Sequence, residues 1–255
     1  MSIVAIFNQK GGVGKTTTSL NLAAGLARKG RKVLAIDLDP QAQLSEICGI
    51  QPGRGEETVF GFFQKAIPLA ELIQPSEIGI SIIPANAELA KVDSLFGKGH
   101  NVVNRLNVGI QKEALVSKGD MLVIDCCPMI GVLSLNALFA CDSLIVPISA
   151  DYLSLKGALR VEKALKALEQ VWKKRLPRRY LLNRFDIRRK MARDIMRQLE
   201  ERFGGEVCRT RSAENVSLAE SPALNKDVFT HAPGSRGSED YEALLEELLG
   251  DGFID

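Results

Sequence analysis

The 255-residue chain predicts an α/β fold, a doubly wound and mostly parallel sheet with helices on both faces. Three observations lead there. Short β-branched runs alternate with longer helical patterns almost from end to end, as right-handed βαβ units require. A glycine-rich stretch follows the first apolar run directly and opens a helical pattern. The composition, 45% hydrophobic and 25% charged, suits a globular chain long enough for one well-buried core and short for two, so residues 1–255 are read as a single domain.

Each element has its own local reason. Residues 3–7 form a short apolar run stopped by Asn8, the first strand, and residues 17–29 the helix after it. Residues 32–37 make the second strand, closed by Asp37-Leu38-Asp39-Pro40-Gln41. Residues 51–57, with Pro52, Gly53 and Gly55, read as a surface loop. A third strand is expected at 78–84 and helices at 87–96 and 102–117. The most apolar tract, residues 121–150, is long enough to be mistaken for a membrane span. Asp125, Pro128, Asn136, Asp142 and Pro147 interrupt it, so it divides into strand 121–125, helix 131–140 and strand 143–148. Helix 153–173, strand 180–183 and helices 188–203 and 239–249 complete the alternation, with loops at 175–179 and 230–238. Internal repeats and low-complexity segments are absent from the sequence.

The net charge of +2 hides an asymmetry. Residues 156–211 hold 18 Lys/Arg against 7 Asp/Glu, and the remainder is net acidic. A basic region on a near-neutral molecule can make one face adhere to polyanions. Cys48, Cys126, Cys127, Cys141 and Cys208 show neither disulfide nor zinc spacing, which suits a reducing cytosol. No signal peptide is visible, because the N-terminal apolar run is itself the first strand.

The chemistry concentrates in Asn8-Gln9-Lys10-Gly11-Gly12-Val13-Gly14-Lys15-Thr16-Thr17. A strand turning through glycines into a helix aims several backbone N–H groups at one spot, where they hold an anion. Lys15 adds charge for outer phosphates, and the Thr16 hydroxyl is placed to ligate Mg²⁺. The ordinary pattern G-x-x-x-x-G-K-[ST] needs glycine where Gln9 stands, and Lys10 follows instead. The stretch reads as a nucleotide site with an extra cation at its mouth. Asp37 and Asp39 are expected to diverge, one facing the nucleotide and the other a neighbouring loop, although Asp39 before Pro40 equally suits a turn that caps the next helix. Asp125 ends a buried strand, where a carboxylate holds Mg²⁺ through water; the alternative is a solvated loop carboxylate. Asn183-Arg184-Phe185-Asp186 superficially imitates the N-K-x-D element that reads guanine in GTPases.

Together, Lys10 to Thr17, Asp37 to Gln41 and the run Val123-Ile124-Asp125-Cys126-Cys127-Pro128 through Leu135-Asn136-Ala137-Leu138 resemble the ParA/Soj/MinD family of deviant-Walker ATPases, nearest its short, Soj-like branch. Ile82-Ile83-Pro84-Ala85 and the segment from Asn215 to Pro222 resemble later family landmarks, and the match extends to about Tyr241. The resemblance implies a P-loop NTPase fold, ATP/ADP and Mg²⁺ as cofactors, and a homodimer sandwiching two ATP molecules. Lys10 would then act in trans on the partner's phosphates, as an arginine finger does. Lys15, with Gly11, Gly12, Val13, Gly14, Thr16 and Thr17, would cradle phosphates in cis. Thr16 would ligate Mg²⁺, with Asp125 holding it through water and Asp37 supporting it likewise. Asp39 would orient the attacking water, and Asn183 would contact adenine.

Family branches differ in the surface they bind. The membrane branch, exemplified by MinD, ends in a basic amphipathic helix. Here residues 239–255 carry Glu242, Glu246, Glu247, Asp251 and Asp255, so no membrane partner is expected. The partitioning branch binds nonspecific DNA. The chain begins at its first strand, so no helix-turn-helix reader is expected. Arg189, Arg193 and Arg197 recur on one helical side, opposite Ala192, Ile195, Met196, Leu199 and Phe203. They are candidate phosphate contacts, weakened by salt, or a solvated face partly neutralised by Asp194 and Glu201. One departure is Arg211-Ser212-Ala213-Glu214-Asn215-Val216-Ser217, where the family carries an isoleucine-proline and DNA-binding arginines. An iron-protein relative would need a second separated thiolate beside Cys126 and Cys127, and there is no cysteine between Cys48 and Cys126.

The resemblance implies a slow, Mg²⁺-dependent, cytoplasmic and nucleoid-associated ATPase. Its ATP dimer holds nonspecific DNA until a ParB-like activating protein or cargo adaptor stimulates hydrolysis. The alternatives are an ATP-dependent ligase of the dethiobiotin synthetase or cobyrinate amidase type, and a positioning switch that does not bind DNA.

Overall fold

The computed structural model describes residues 2–51, 53–96 and 100–254; Pro52 and Asp255, named above, lie outside the described residues. The strands β1 (Ser2–Ile6), β2 (Val33–Leu38), β3 (Gln74–Pro75), β4 (Ser81–Ile83), β5 (Met121–Cys126), β6 (Ser143–Ser149), β7 (Arg178–Phe185) and β8 (Val207–Ala213) form one sheet in the order β3-β4-β2-β5-β1-β6-β7-β8. Neighbours run parallel except β3 against β4. The helices are α1 (Lys15–Arg28), α2 (Gln43–Ile47), α3 (Val59–Lys65), α4 (Val92–Leu95), α5 (His100–Val103), α6 (Arg105–Glu113), α7 (Val132–Ala140), α8 (Tyr152–Trp172), α9 (Lys190–Phe203), α10 (Val216–Glu220), α11 (Val228–His231) and α12 (Arg236–Gly250).

Strand alternation sorts the core onto both faces of the sheet. Ile3, Ala5 and Phe7 point into one layer, with apolar residues of α3, α6, α7, α8 and α9. Val4 and Ile6 point into the other, beneath α1, α2, α11 and α12. Fully burying one such side chain contributes about 1.5–3 kcal/mol, so the two layers fix which face each helix covers.

The alternation read from sequence holds, with local differences. Residues 87–96 form a 3-10 turn (Ala87–Lys91) and then α4, because Asn86 accepts from the Glu88 amide and starts a tighter turn. The helix expected at 102–117 is divided into α5 and α6 and ends at Ala114, whose φ is 47°. The loop expected at 175–179 is partly strand: Arg178 opens β7 and is completely buried. Its guanidinium donates to Glu162 at 2.9 Å and to Glu169, both on α8. The loop expected at 230–238 contains the end of α11 and the first turn of α12, capped where Ser235 accepts from the Ser238 amide. Edge strand β8 was not expected, since Arg209 and Arg211 break its apolar character.

Candidate nucleotide site

In a parallel sheet a crevice opens where the strand order reverses, because the loops on either side leave in opposite directions. Here that point is β1, between β5 on one side and β6 on the other. The glycine-rich loop follows β1. Asn8, fully buried, ties it down by donating to the Pro147 carbonyl of β6 at 2.7 Å and accepting from the Lys10 amide.

Gly12 and Gly14 adopt φ of 71° and 89°, the left-handed region that favours glycine. A Cβ added at Gly11 or Gly12 would meet nothing within 4 Å, whereas one at Gly14 would lie 2.8 Å from Asn183 Nδ2. Gly14 therefore lets the loop pass closely over β7. Helix α1 starts at Lys15, one or two residues before the sequence reading placed it, without a side-chain cap. Its first-turn N–H groups face the loop concavity, the arrangement that receives an anion.

The two lysines separate here. Lys15 is buried, and its ammonium donates to the Lys10 carbonyl at 3.2 Å. Lys10 turns the other way: its Nζ lies 2.7 and 2.9 Å from the Asp151 carboxylate oxygens and 2.8 Å from Ser154 Oγ. Asp151 also caps α8 by accepting from the Ser154 amide. Neither partner was visible in sequence, because each lies more than 140 residues from Lys10.

The expected metal-binding pair is brought together. Thr16 Oγ1 donates to Asp125 Oδ2 at 2.8 Å, and Ser19 Oγ to Asp125 Oδ1 at 2.7 Å. Ser19 went unread, though it lies one turn beyond Lys15 on the same helical side. Asp125 is buried rather than solvated. Asp37 and Asp39 do part company, but for a reason other than strand geometry, since residues two apart share a strand face. The strand ends at Leu38. Asp37, fully buried, accepts from the Asp39 amide at 3.0 Å and from the Ser45 amide and hydroxyl at 3.0 and 2.7 Å. Asp39, half-buried, accepts from the Gln41 amide at 2.9 Å, the turn-forming contact its sequence also allowed. Parallel register sets Asp37 beside Asp125. Burial raises both carboxyls above the ordinary carboxylate range, and the neighbouring Asp125 charge raises Asp37 further.

Beside the loop lies a cavity of ≈ 240 Å³ whose walls include Val13, Gly14, Asn183, Arg184, Glu214 and Tyr241. Asn183 donates to the Val13 carbonyl at 3.0 Å, and its buried Oδ1 has no partner among the described residues. Asp186 faces elsewhere: it accepts from Arg188 and borders the adjoining arginine-lined groove, so the N-K-x-D imitation does not converge on this cavity. The segment with the altered arginine and proline pattern supplies one cavity wall through Ser212, Ala213, Glu214 and Asn215. Hard oxygen donors beside buried carboxylates suit Mg²⁺, and a glycine cradle leading to a cavity with an unpaired amide oxygen suits a nucleotide.

Of the three arginines, Arg189 precedes α9 and pairs with Asp186 and Glu214, while Arg193 donates to the Ile187 and Arg188 carbonyls. Arg197 is exposed. The opposite side is buried as expected through Ala192, Ile195, Leu199 and Phe203. Cys126 and Cys127 are buried, and burial pushes the Cys127 thiol up to about 11.

Residues 1–177 match the family profile described as an AAA domain. The chromosome-partitioning ATPase Soj of Thermus thermophilus is 37% identical over 251 residues, covering 96% of this chain and 94% of that protein. The sporulation initiation inhibitor protein Soj of Bacillus subtilis is 32% identical over 252 residues, covering 98% and 99%. Among solved structures, the cobyrinic acid a,c-diamide synthase of Mycobacterium smegmatis with bound ATP analog and magnesium aligns with a TM-score of 0.84 at 26% identity, covering 99% of this chain and 96% of that one. Apo McdA of Cyanothece aligns with a TM-score of 0.87 at 19% identity, covering 98% and 100%, a likeness of fold alone. The matched motifs, the parallel sheet and these relatives agree: the chain belongs to the ParA/Soj family of deviant-Walker P-loop ATPases.

Proposed function

We propose that this chain works as a Mg²⁺-dependent ATPase switch whose ATP-bound homodimer holds nonspecific DNA and is reset by a ParB-like activator or cargo adaptor. The observation that carries the reading is the division of labour between two lysines on one loop. Lys15 lies buried at the phosphate cradle, while Lys10 is held at its mouth by Asp151 and Ser154. A cation held outside its own cradle is placed to serve a second one.

In this reading Lys15 and the amides from Gly11 to Thr17 hold the phosphates, and the unpaired Asn183 oxygen meets the adenine amino group. Thr16, and Asp125 through water, would hold Mg²⁺, which would supply positive charge to the phosphate being transferred. Asp37, its oxygens occupied by Ser45 and the Asp39 amide, anchors the loop rather than reaching towards the metal. Asp39 orients water after leaving the Gln41 amide, and Lys10 crosses to the partner after leaving Asp151. Two contacts must break before the site is complete, which makes unassisted hydrolysis slow. The related Soj and ParA proteins bear chromosome-partitioning names, which supports a cytoplasmic, nucleoid-associated role. No helix among the described residues is long and apolar enough to cross a membrane.

The test combines sedimentation with retention on a random-sequence duplex, under ATP, ADP or no nucleotide, at two salt concentrations. The switch predicts an ATP-specific dimer and ATP-specific, salt-sensitive retention. Lys10→Ala should keep nucleotide binding yet lose the dimer. A variant that dimerises normally removes Lys10 from trans action. The likeness to a diamide synthase favours a second reading, an amide-forming ligase; ATP turnover that requires cobyrinate and an amide donor would establish it.

A further inference from the structure

We propose that the outer face of α8 is the surface that grips the phosphate backbone of DNA. The inference rests on the DNA-binding reading above and assigns it to a helix different from the arginine-bearing α9.

Each carboxylate of residues 151–172 is engaged by a partner within the fold, although Asp151 stays partly exposed. Asp151 holds Lys10, Glu162 accepts from Arg178 and from the Tyr180 hydroxyl, and Glu169 accepts from Arg178 and the Leu176 amide. These are the only acidic residues in that stretch. Leu155, Ala158, Val161 and Leu165 face the core. Lys156, Arg160, Lys163 and Lys166 are left on the exposed side. Lys156 lies 4.7 Å over the Tyr152 ring, and Lys166 reaches Glu162 at 3.4 Å. Among the described residues, Arg160 and Lys163 have no ion-pair partner. From Lys156 to Lys163 the exposed side thus carries cations while the acids of its own helix are engaged elsewhere, whereas Lys166 borders a groove shared with Glu162, Glu201 and Glu206.

The spacing fits a polyanion. Helical rise separates Lys156 from Arg160 by about 6 Å and Arg160 from Lys163 by about 4.5 Å along the axis. One strand of B-DNA presents a phosphate about every 3.4 Å of axis, so successive cations reach phosphates one or two apart. On α9, by contrast, Arg189 would have to leave two carboxylates and Arg193 two loop carbonyls before contacting phosphate. Free ammonium and guanidinium groups release counterions on binding without that competition.

The test compares wild type with Lys156→Gln/Arg160→Gln/Lys163→Gln, and with Arg189→Gln/Arg197→Gln. Retention on random-sequence duplex is measured with ATP across a salt series, with ATP dimerisation and basal turnover measured in parallel. The α8 variant should dimerise and turn over as wild type does, bind duplex at least tenfold more weakly, and lose about 0.9 of log–log salt slope for each contact removed. Unchanged affinity and slope in that variant, with wild type binding well, overturns the α8 assignment alone, as does binding abolished only by the α9 substitutions. A wild type that dimerises with ATP yet leaves duplex unbound, or takes anionic vesicles instead, overturns the DNA reading and this surface with it.

Discussion

Lys10 and Lys15 share a side-chain chemistry and a loop, yet their neighbours give them opposite tasks. Lys15 points under the loop and donates to a carbonyl, with no acidic hydrogen-bond partner among the described residues, whereas Lys10 sits between a carboxylate and a hydroxyl on the first turn of α8. The Lys10–Asp151 pair is partly exposed, with side-chain accessibilities of 31% and 41%, so it contributes no more than about 1 kcal/mol. That modest strength suits a contact that must break in each cycle. Asp151→Asn keeps an α8 cap, since asparagine caps as well as aspartate, but loosens Lys10. The ATP dimer should then form at about fivefold lower protein concentration, read by sedimentation at saturating ATP. No shift in the dimerisation midpoint would show that Asp151 does not restrain Lys10.

At the scale of elements, α1 links the site to α11 and α12, which share its layer. Its first two turns carry Lys15, Thr16 and Ser19, and Thr18 meets the Tyr241 hydroxyl of α12 at 3.1 Å. Farther along, Gly25 admits Leu245 of α12 and Phe229 of α11: an added Cβ would lie 2.2 Å from Leu245 Cδ1 and 3.1 Å from Phe229. Gly25→Ala gains helix propensity of up to about 1 kcal/mol but overpacks this contact by about 1–3 kcal/mol. A net loss of about 1–2 kcal/mol is expected, read as a melting midpoint lowered by several degrees with nucleotide affinity retained well below the transition. A raised midpoint would mean that α12 yields freely. The α8–β7 seam obeys a different logic. Arg178 is fully buried and is tolerated only because Glu162 and Glu169 both reach it, so removing either carboxylate leaves an underpaired interior charge.

For the whole molecule, the buried acidic pair at the sheet centre sets a pH dependence. Burial raises the Asp37 and Asp125 pKa values, so between about pH 4.5 and pH 7 the folded state binds more protons than the unfolded chain. Stability contributed by the pair is therefore present at the acidic end of this window and lost as pH rises through it. Asp186, Asp151 and Glu162 are shifted the other way, so their stabilisation is lost at lower pH, as their carboxylates are protonated. The nucleotide-free protein should melt higher at pH 5.5 than at pH 7.5, by on the order of 2 kcal/mol in stability. Asp37→Asn should flatten the profile; an equal slope in that variant would place the titrating groups elsewhere.

The phosphate loop, its extra lysine, Asp125 and the parallel alternation were legible in the chain alone, because their signals are local. Glycines must precede the helix they admit, a cation must sit within a few residues of the loop it serves, and strands buried on both faces must be apolar throughout. What only tertiary structure decided lies between residues far apart in sequence. Ser19 and Thr16 meet Asp125 across more than a hundred residues, Asn183 lies under Gly14, and Asp151 captures Lys10. The same holds for charge. Composition shows how many carboxylates residues 151–172 contain, but not which way they face, and it is their turn towards Lys10 and Arg178 that leaves the outer side of α8 positive.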